Sequence, residues 1–274
     1  MTLSKKSLQQ EIESFIRQYP VPDNLPKLWE TPLVGLADAK SPYWDTLKKL
    51  VHPKHDHPQN ILKDATVVLV YFIPFSPALA KTNMTGALSS PEWAHAYELT
   101  NAMFPKLNKH LIDYLEYHGI QAAESKKAGY FDREEITSQW SYRHIAWLAG
   151  LGTFGLNNML ITKNGCCGRL NAIVTTLPLT PDQPQTSEYC LYKKAGTCKA
   201  CIRKCPAGAL NDNGFDRRIC FDQCLKNASM YTEFGSSYAA GSDHDIGSEV
   251  CGKCVCVLPC TFQIPGVQND GSNI

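Results

Sequence analysis

The stretch C-K-A-C-I-R-K-C-P, residues Cys198–Pro206, constrains how the rest of this 274-residue chain can fold. It places three thiols at x2 and x3 spacing and closes with Cys-Pro. The second half of the bacterial ferredoxin run C-x2-C-x2-C-x3-C-P has the same spacing. Thiolates on so tight a loop can wrap one corner of an iron–sulfur cube, while the Cys before the Pro ligates a second cube. The stretch therefore predicts a ferredoxin-like two-cluster module, with a short helix over Pro206–Leu210.

The chain supplies the further thiols that two clusters need. The usual first Cys of the run would fall at residue 195, which is Ala, and Cys190 is the natural replacement. We predict two [4Fe–4S] clusters whose ligands are Cys190, Cys198, Cys201 and Cys260 in the first, and Cys205, Cys220, Cys251 and Cys254 in the second. The last ligand stays open between Cys260 and Cys256, although the one-residue gap between Cys254 and Cys256 favours Cys260.

Other interpretations of the thiols are available. Two C-x2-C pairs can build a zinc site of four thiolates, but one zinc ion does not explain eight thiols or the Cys-Pro. Cys224 and Cys256 are left over from the assignment, and the adjacent pair Cys166 and Cys167 is predicted to be free thiols.

Composition separates the chain into two parts. Ten of the twelve Cys lie between residues 190 and 260, and none precedes residue 166. This distribution predicts an α/β catalytic domain over 1–180 and the cluster domain over 181–274. The formal net charge of +1 argues against a nucleic-acid partner. With no signal peptide and no run of about 18 apolar residues, we expect no membrane association and a cytoplasmic location.

Local patterns predict the elements of the first part. Residues 4–18 are typical of an amphipathic helix, and a short helix is expected near Tyr43–Val51. Thr66–Phe72 is typical of a strand buried on both faces, and Ser90 and Pro91 open a long helix that ends near His118, with an interruption at Pro105. A helix over Ser141–Ala149 and strands near Ile120–Ala123 and Leu170–Leu177 complete an α/β sandwich with a mixed sheet, so the class is α+β.

Two loops carry residues that bind ligands in other proteins. His52, His55 and His57 could hold a metal, but a solvated loop between prolines is the favoured interpretation. The run G-L-G-T-F-G-L-N-N, starting at Gly150, brings backbone close to a ligand or forms a packed turn. Because it follows a helix and precedes a strand, it is not a dinucleotide-binding fingerprint.

The segment R-H-I-A-W-L-A-G-L-G-T-F-G-L-N-N-M-L-I, followed by the cysteine pattern, resembles epoxyqueuosine reductase and its relatives, which are similar to the core of reductive dehalogenases. The resemblance covers roughly residues 60–265. It implies a nitroreductase-like α/β sandwich that binds cobalamin, and clusters that reduce its cobalt. By this resemblance the corrin contacts are Gly150, Gly152, Gly155, Asn157 and Asn158.

The chain departs from the family before the helix. The family's proton-donating Asp has no match in E-E-I-T-S-Q-W-S-Y-R, and Asp132 lies further upstream. The nearby protic groups are Glu134, Glu135, Tyr142 and Arg143, of which we take Glu135, Tyr142 and Arg143 as catalytic candidates. Tyr142 can be a general acid or a packed ring, and Arg143 can bind an anionic substrate, a corrin carboxamide or a surface carboxylate.

Three functions are compatible with these residues. The favoured one is a cytoplasmic, cobalamin-dependent iron–sulfur reductase of a small-molecule substrate, supplied by a reduced ferredoxin, flavodoxin or other electron donor. The alternatives are epoxyqueuosine reduction in tRNA and a pure electron-transfer protein. The resemblance implies a short member without the helical-repeat extension with which many tRNA-acting relatives grip tRNA, and this argues against a tRNA substrate.

Overall fold

The computed structural model of the chain describes residues 3–236 and 247–266. The helices are α1 Lys5–Gln18, α2 Tyr43–Leu50, α3 Pro58–Ile61, α4 Pro77–Thr82, α5 Pro91–Tyr117, α6 Tyr142–Leu148, α7 Leu191–Ala195, α8 Ala200–Lys204 and α9 Arg217–Met230. The strands are β1 Leu33–Asp38, β2 Val67–Pro74, β3 Ala122–Ala123, β4 Phe131–Asp132, β5 Thr137–Ser138, β6 Gly152–Phe154, β7 Leu160–Thr162, β8 Gly168–Thr175, β9 Leu210–Asn211 and β10 Gly214–Phe215. A single 3₁₀ turn is formed by Lys253–Val255. None of the described helices is long and apolar enough to cross a membrane.

The largest sheet has four strands in the order β1-β2-β8-β3. Every pair in it is antiparallel, with Leu33 opposite Phe72 and Val67 opposite Thr175. The predicted mixed sheet is therefore wrong, whereas the mixed α/β composition is confirmed. The error has a simple cause: the strand–helix–strand order predicted parallel neighbours, but β3 pairs with β8 and not with β2. Strand β1 was also missed, because its sequence L-V-G-L-A-D lies in a stretch dominated by prolines and turn residues.

Strand β2 is buried along its whole length, as predicted. Its alternate side chains face opposite sides of the sheet. Leu69 and Tyr71 pack in a core with residues of α1 and α5, whereas Val68 and Val70 pack in a second core with residues of α2 and α6. The sheet therefore carries helices on both faces, and α6 holds the glycine-rich segment that follows it against the sheet.

Helix α5 begins as predicted, with Ser90 Oγ accepting the backbone N–H of Trp93 at 3.1 Å and Pro91 in the first helical position. It then continues through Pro105 to Tyr117, so the predicted interruption is absent. Buried side chains on both sides of Pro105, including Phe104 and Leu107, anchor the helix on the sheet, and this packing outweighs the local cost of proline.

The cysteine-rich region, residues 190–260, is made of short helices and turns. Helix α7 ends at Gly196 in the left-handed conformation, at φ 69°. The helix predicted over Pro206–Leu210 is wrong: the chain forms a turn there, with Gly208 at φ 69°, and then enters the small β9–β10 hairpin. The left-handed glycine breaks the helical pattern that Ala207 and Ala209 favour.

Candidate cofactor site

The first predicted ligand set meets at one cavity. Cys190, Cys198, Cys201 and Cys260 all line one cavity. Three elements bring them there: Cys190 caps α7, Cys201 lies in α8, and Cys260 follows the 3₁₀ turn. The cavity lining also includes Gly155 and Asn157 of the glycine-rich segment. Four thiols from three separate parts of the chain thus share one concave space.

Two thiols of this cavity have shifted pKa values in opposite directions. Burial, then the neighbouring sulfurs of Cys260 and Cys190, raises the pKa of Cys201 to about 11. The hydrogen bond with Cys166 lowers the pKa of Cys260. Thiols bind metal as thiolates, so a cation would be needed to hold the Cys201 sulfur in its ionised form. An all-sulfur donor set fits iron–sulfur clusters or zinc.

The second predicted set also forms one neighbourhood. Burial, with smaller contributions from the nearby sulfurs of Cys220 and Cys205, raises the pKa of Cys251 to about 11. Burial and the sulfurs of Cys251, Cys220 and Cys205 raise the pKa of Cys254 well above its usual value. The four predicted ligands are therefore electrostatic neighbours.

A fifth thiol lies in the second neighbourhood. Cys224 forms a hydrogen bond with Cys220 that lowers the pKa of Cys220 and raises its own. Because Cys220 and Cys224 are four residues apart on α9, they lie on the same helical face. The sequence assignment left Cys224 over, and the helical spacing was the signal that would have placed it here.

Cys166 and Cys167 contact the end of the cysteine-rich region. The sulfur of Cys166 lies 3.9 Å from that of Cys260, and Cys167 is hydrogen-bonded to Cys256. Backbone bonds from Cys166 N to Cys260 O and from Cys167 N to Thr261 O, at 2.9 and 3.1 Å, fix this contact. Neither cysteine forms a disulfide. Among the described residues, no group of three or more His, Cys, Asp or Glu side chains could hold a single metal ion.

The glycine-rich segment is a hairpin rather than an open loop. Strands β6 and β7 pair from Gly152 opposite Thr162 to Phe154 opposite Leu160. A Cβ on Gly152 would lie 1.9 Å from the carbonyl oxygen of Ile161, and one on Gly150 would lie 2.2 Å from that of Gln183. The chain's own backbone therefore requires these two glycines, so glycine placement alone no longer argues for a corrin.

Asn157, Asn158 and Arg143 join the hairpin to its surroundings. The Asn157 amide donates to Cys254 O at 2.6 Å, and its oxygen accepts the N–H of Met159 at 3.2 Å. Arg143 donates to Asn158 O at 2.5 Å, and its charge lowers the pKa of Cys220. Arg143 is thus close to the second set of thiols, which its sequence environment did not indicate.

The other catalytic candidates lie in different surroundings. Tyr142, on the first turn of α6, is half-buried; burial, and then Tyr142, raises the pKa of the fully buried Tyr71. Glu135 is exposed in the turn between β4 and β5, and its carbonyl oxygen accepts from Arg217 at 3.3 Å.

The carboxylate of Asp132 is hydrogen-bonded within the same turn. Its carboxylate accepts the backbone N–H groups of Glu134 and Glu135, both at 3.0 Å, and His52 lies 3.5 Å away. The hydrogen bond from Glu135, then those from Glu134 and His52, lowers the pKa of Asp132. A carboxyl held ionised in this way is a poor proton donor near neutral pH.

Glu124, which sequence reasoning missed, is a better-placed carboxyl. It is half-buried, bonded to Asn108, and burial raises its pKa. Asn108 also accepts from the hydroxyl of Tyr71 at 2.7 Å and donates to Asn171 at 3.0 Å. This chain of polar side chains crosses the sheet's α5 face and can hold a proton, and no local motif marks it.

The solvated-loop interpretation of the histidines is wrong. His52 and His55 are only 7% and 2% exposed. His55 accepts the N–H of Ser141 at 3.1 Å and donates to Asp56 O at 2.8 Å, which fixes its neutral form, while its ring packs on Trp140. His57 caps α3. The partners of His52 and His55 are Asp132 and Ser141, which lie at least 80 residues further along the chain. The local proline pattern could not reveal these contacts.

His144 is a further buried histidine. Its Nδ1 lies 2.7 Å from Ser141 Oγ, and its ring packs on Phe154. Burial, then the charges of Arg143 and His55, lowers its pKa to about 4. A neutral imidazole therefore lies between α6 and the glycine-rich hairpin.

The protein thus consists of a mixed α/β unit and a cysteine-rich region, and the glycine-rich hairpin is hydrogen-bonded to that region. Several solved structures have a similar fold. An epoxyqueuosine reductase solved with an epoxyqueuosine-modified tRNA-Tyr stem loop superposes with a TM-score of 0.55 and 18% identity, covering 94% of this chain and 66% of that one. A catabolic reductive dehalogenase gives 0.52 and 16%, covering 85% and 30%.

Curated relatives agree with the structures. The epoxyqueuosine reductase of Aliivibrio fischeri is 29% identical over 161 residues, which are 54% of this chain and 40% of that protein. That of Staphylococcus aureus is 35% identical over 137 residues, 49% and 33% of the two chains. The tetrachloroethene reductive dehalogenase of Sulfurospirillum multivorans is 32% identical over 119 residues, 41% and 22%. No family model matches the chain.

The chain is thus similar to epoxyqueuosine reductases and reductive dehalogenases, in sequence over about half of its length and in fold over most of it. Its match spans about two fifths of the Aliivibrio fischeri reductase, so the shared part is a core and not the whole of that protein.

Proposed function

We propose that this chain is an iron–sulfur, cobalamin-dependent reductase that acts on a small-molecule substrate. Two [4Fe–4S] clusters in the cysteine-rich region, residues 181–274, carry electrons to a cobalamin bound by the α/β domain, residues 1–180. The similarity to epoxyqueuosine reductases and a reductive dehalogenase supports the reductase class.

One observation carries the cluster proposal. Cys190, Cys198, Cys201 and Cys260 were selected from spacing alone, and the folded chain lines one cavity with all four. Gly155 and Asn157 of the glycine-rich hairpin line the same cavity. A cluster there lies against the segment assigned to corrin binding, which suits delivery of electrons from one to the other.

The protein's own residues have three tasks in this proposal. Asn157 holds the hairpin on the carbonyl of Cys254, and Arg143 holds Asn158 while its charge faces Cys220. Tyr142 is the proposed proton donor. Glu135, in the turn between β4 and β5, and the half-buried carboxyl of Glu124 are the alternative donors. When bound, the clusters and the cobalamin supply two electrons, and the substrate takes up one or two protons.

The electrons come from a reduced ferredoxin, flavodoxin or similar donor, one at a time. For the substrate, the similarity to a reductase solved with a tRNA stem loop favours a second candidate, epoxyqueuosine in tRNA. The net charge of +1 favours a small molecule, because tRNA-binding surfaces are basic.

Anaerobic reconstitution with iron, sulfide and cobalamin tests the proposal. We expect about eight irons per chain, the content of two four-iron clusters, and one cobalt retained on gel filtration. Eight irons without cobalt would leave an electron-transfer protein, and no bound iron would overturn the proposal. Turnover of an epoxyqueuosine-bearing tRNA stem loop by the reconstituted protein would replace the small-molecule substrate with tRNA.

A further inference from the structure

We propose that the surface formed by α7, α8 and residues 257–262 is the docking site for an acidic protein that donates single electrons. The inference rests on the proposed function, because it requires a cluster on Cys190, Cys198, Cys201 and Cys260. It goes beyond that function by assigning the face of the molecule through which electrons enter and the charge of the partner.

The sequence around the first set of thiols carries positive charge only. Between Glu188 and Asp212 it has five Lys or Arg side chains and no Asp or Glu, in a chain whose formal net charge is +1. Four of the five residues are exposed and form what we call the basic patch: Lys193, Lys194, Arg203 and Lys204. A surface with charge of one sign attracts partners of the opposite sign and raises their association rates.

The basic patch is not neutralised by carboxylates of the described residues. The fifth cation, Lys199, pairs with Asp212 at 2.5 Å, whereas the four residues of the patch form no ion pair within residues 3–236 and 247–266. Cations on α1, α2 and α5 instead pair with carboxylates three or four residues away, as Lys109 does with Asp113 at 2.8 Å. The charge of α7 and α8 is therefore available to an acidic partner.

The basic patch lies next to the thiols. Helix α7 is capped by Cys190 and ends with two lysines, and α8 contains Cys201 and ends with the Arg-Lys pair. Residues of both helices line the cavity that the four thiols share. The two helices are also in contact, since the Lys199 ammonium group lies 6.0 Å from the centre of the Tyr192 ring. A partner held by the patch is therefore brought close to the first predicted cluster.

Apolar side chains are exposed beside the last thiol of the set. Val257 and Phe262, on either side of Cys260, are 43% and 38% exposed, and Pro259 is exposed between them. Protein–protein interfaces combine apolar contacts with a polar rim, and those of electron carriers are small. The apolar residues favour a protein over a nucleic acid, because contacts to phosphates are made by cationic and polar groups.

The step at this surface moves one electron and no atoms. The reduced donor loses one electron and the oxidised cluster gains it, so no bond forms or breaks. The basic patch acts on the encounter of the two proteins, and electrostatic steering of this kind changes association rates by about 10- to 10³-fold. The reaction should therefore slow as salt is added, because salt screens charges on exposed surfaces.

Charge reversal tests the inference. The reconstituted K193E/K194E variant changes the charge of the basic patch by four units and leaves α8 and every thiol in place. Its clusters should be reduced by the hydroquinone of an acidic flavodoxin about tenfold more slowly than those of wild type at low ionic strength, in anaerobic stopped-flow measurements. At about 1 M salt, where the Debye length is about 3 Å, the two rate constants should be similar.

Two controls isolate the role of charge. The K63E/K106E variant reverses two exposed lysines of the α/β part and should keep the wild-type rate constant. Reduced methyl viologen, a small cation, should reduce K193E/K194E at least as fast as wild type, because the added carboxylates attract it. A variant with a damaged cluster would be slow with both reductants.

The outcomes separate the two proposals. Wild-type protein that binds no iron contradicts the proposed function. Iron-loaded wild type that takes electrons from neither an acidic flavodoxin nor an acidic ferredoxin faster than K193E/K194E does contradicts the docking site. If K193E/K194E loses iron, K193Q/K194Q takes its place, and a wild-type rate constant in that variant overturns the inference. An epoxyqueuosine-bearing tRNA stem loop that binds wild type but not K193E/K194E, with donor rates unchanged, would assign the patch to RNA instead.

Discussion

The side-chain amide of Asn157 donates a hydrogen bond to the carbonyl oxygen of Cys254 at 2.6 Å. This contact joins the glycine-rich hairpin to the segment that carries three of the predicted cluster ligands. Asn157 is 3% exposed, and its oxygen is occupied by the N–H of Met159. A single buried amide therefore fixes the distance between the hairpin assigned to corrin and the thiols assigned to iron.

Replacing Asn157 by Ala should destabilise the fold by about 2–3 kcal/mol, because it leaves two buried backbone groups without partners. Asn157→Asp is the matched variant: it keeps an oxygen for Met159 but places a buried carboxylate against the carbonyl oxygen of Cys254. We expect N157D to be at least as unstable as N157A, and both variants to lose iron during gel filtration. Denaturant unfolding and iron analysis measure the two effects, and wild-type stability in N157A would show that the contact is dispensable.

The last ligand of the first cluster can be decided with one pair of variants. Cys260 lines the cavity with the other three thiols, whereas Cys256 is buried against Cys167 and Asn83. Replacing Cys260 by Ser should remove about four irons, one cluster's content, and Cys256→Ser should remove none. The opposite result would exchange the two residues in the assignment.

The local elements of the α/β part were predictable because their signals are local. The amphipathic run of α1, the Ser90-Pro91 start of α5 and the β-branched run of β2 each report on their own neighbourhood. Strand β1 was missed because a glycine and short apolar side chains follow a proline-rich stretch, and its identity as a strand depends on pairing with β2.

Of the candidate site, only the cysteine ligand set was predictable from the sequence. Cysteine spacing selected four residues that the fold does bring to one cavity. The buried surroundings of His55 and Lys253 were not predictable, because their partners lie 86 and 170 residues away, at Ser141 and Asn83. Whether a polar side chain is buried depends on tertiary contacts. From sequence alone, a charged or polar residue is expected to be exposed, because most such residues are.

Substitution of Gly152 should lower the stability of the fold itself, even when no cofactor is bound. Its Cβ would meet the carbonyl of Ile161 at 1.9 Å, so Gly152→Ala should cost about 3 kcal/mol of stability from overpacking. Gly196→Ala is the control: φ is 69° but no atom lies within 4 Å of the added Cβ, so about 1 kcal/mol is expected. Equal stabilities in cofactor-free unfolding would show that the hairpin yields, and would restore a corrin-facing role for this glycine.

His144 should make the fold less stable in acid. Its pKa is lowered by burial, then by Arg143 and His55, from 6.5 to about 4. Below pH 6.5 the unfolded chain binds a proton at His144, whereas the folded chain does not bind it until about pH 4. The free energy of unfolding is therefore highest above pH 6.5 and falls as the pH drops below that value. Between pH 7.5 and 5.5 this amounts to about 1.4 kcal/mol, one pKa unit's worth.

The comparison with His144→Gln isolates this residue from the other titrating groups. Glutamine keeps a hydrogen-bonding side chain beside Ser141 and cannot titrate, so the variant should lose less stability than wild type over the same pH interval. His55, whose pKa burial also lowers, remains in both proteins and contributes equally. Parallel pH profiles of unfolding free energy would mean that His144 is solvated enough to protonate in the folded state, and that the space between α6 and the hairpin admits water.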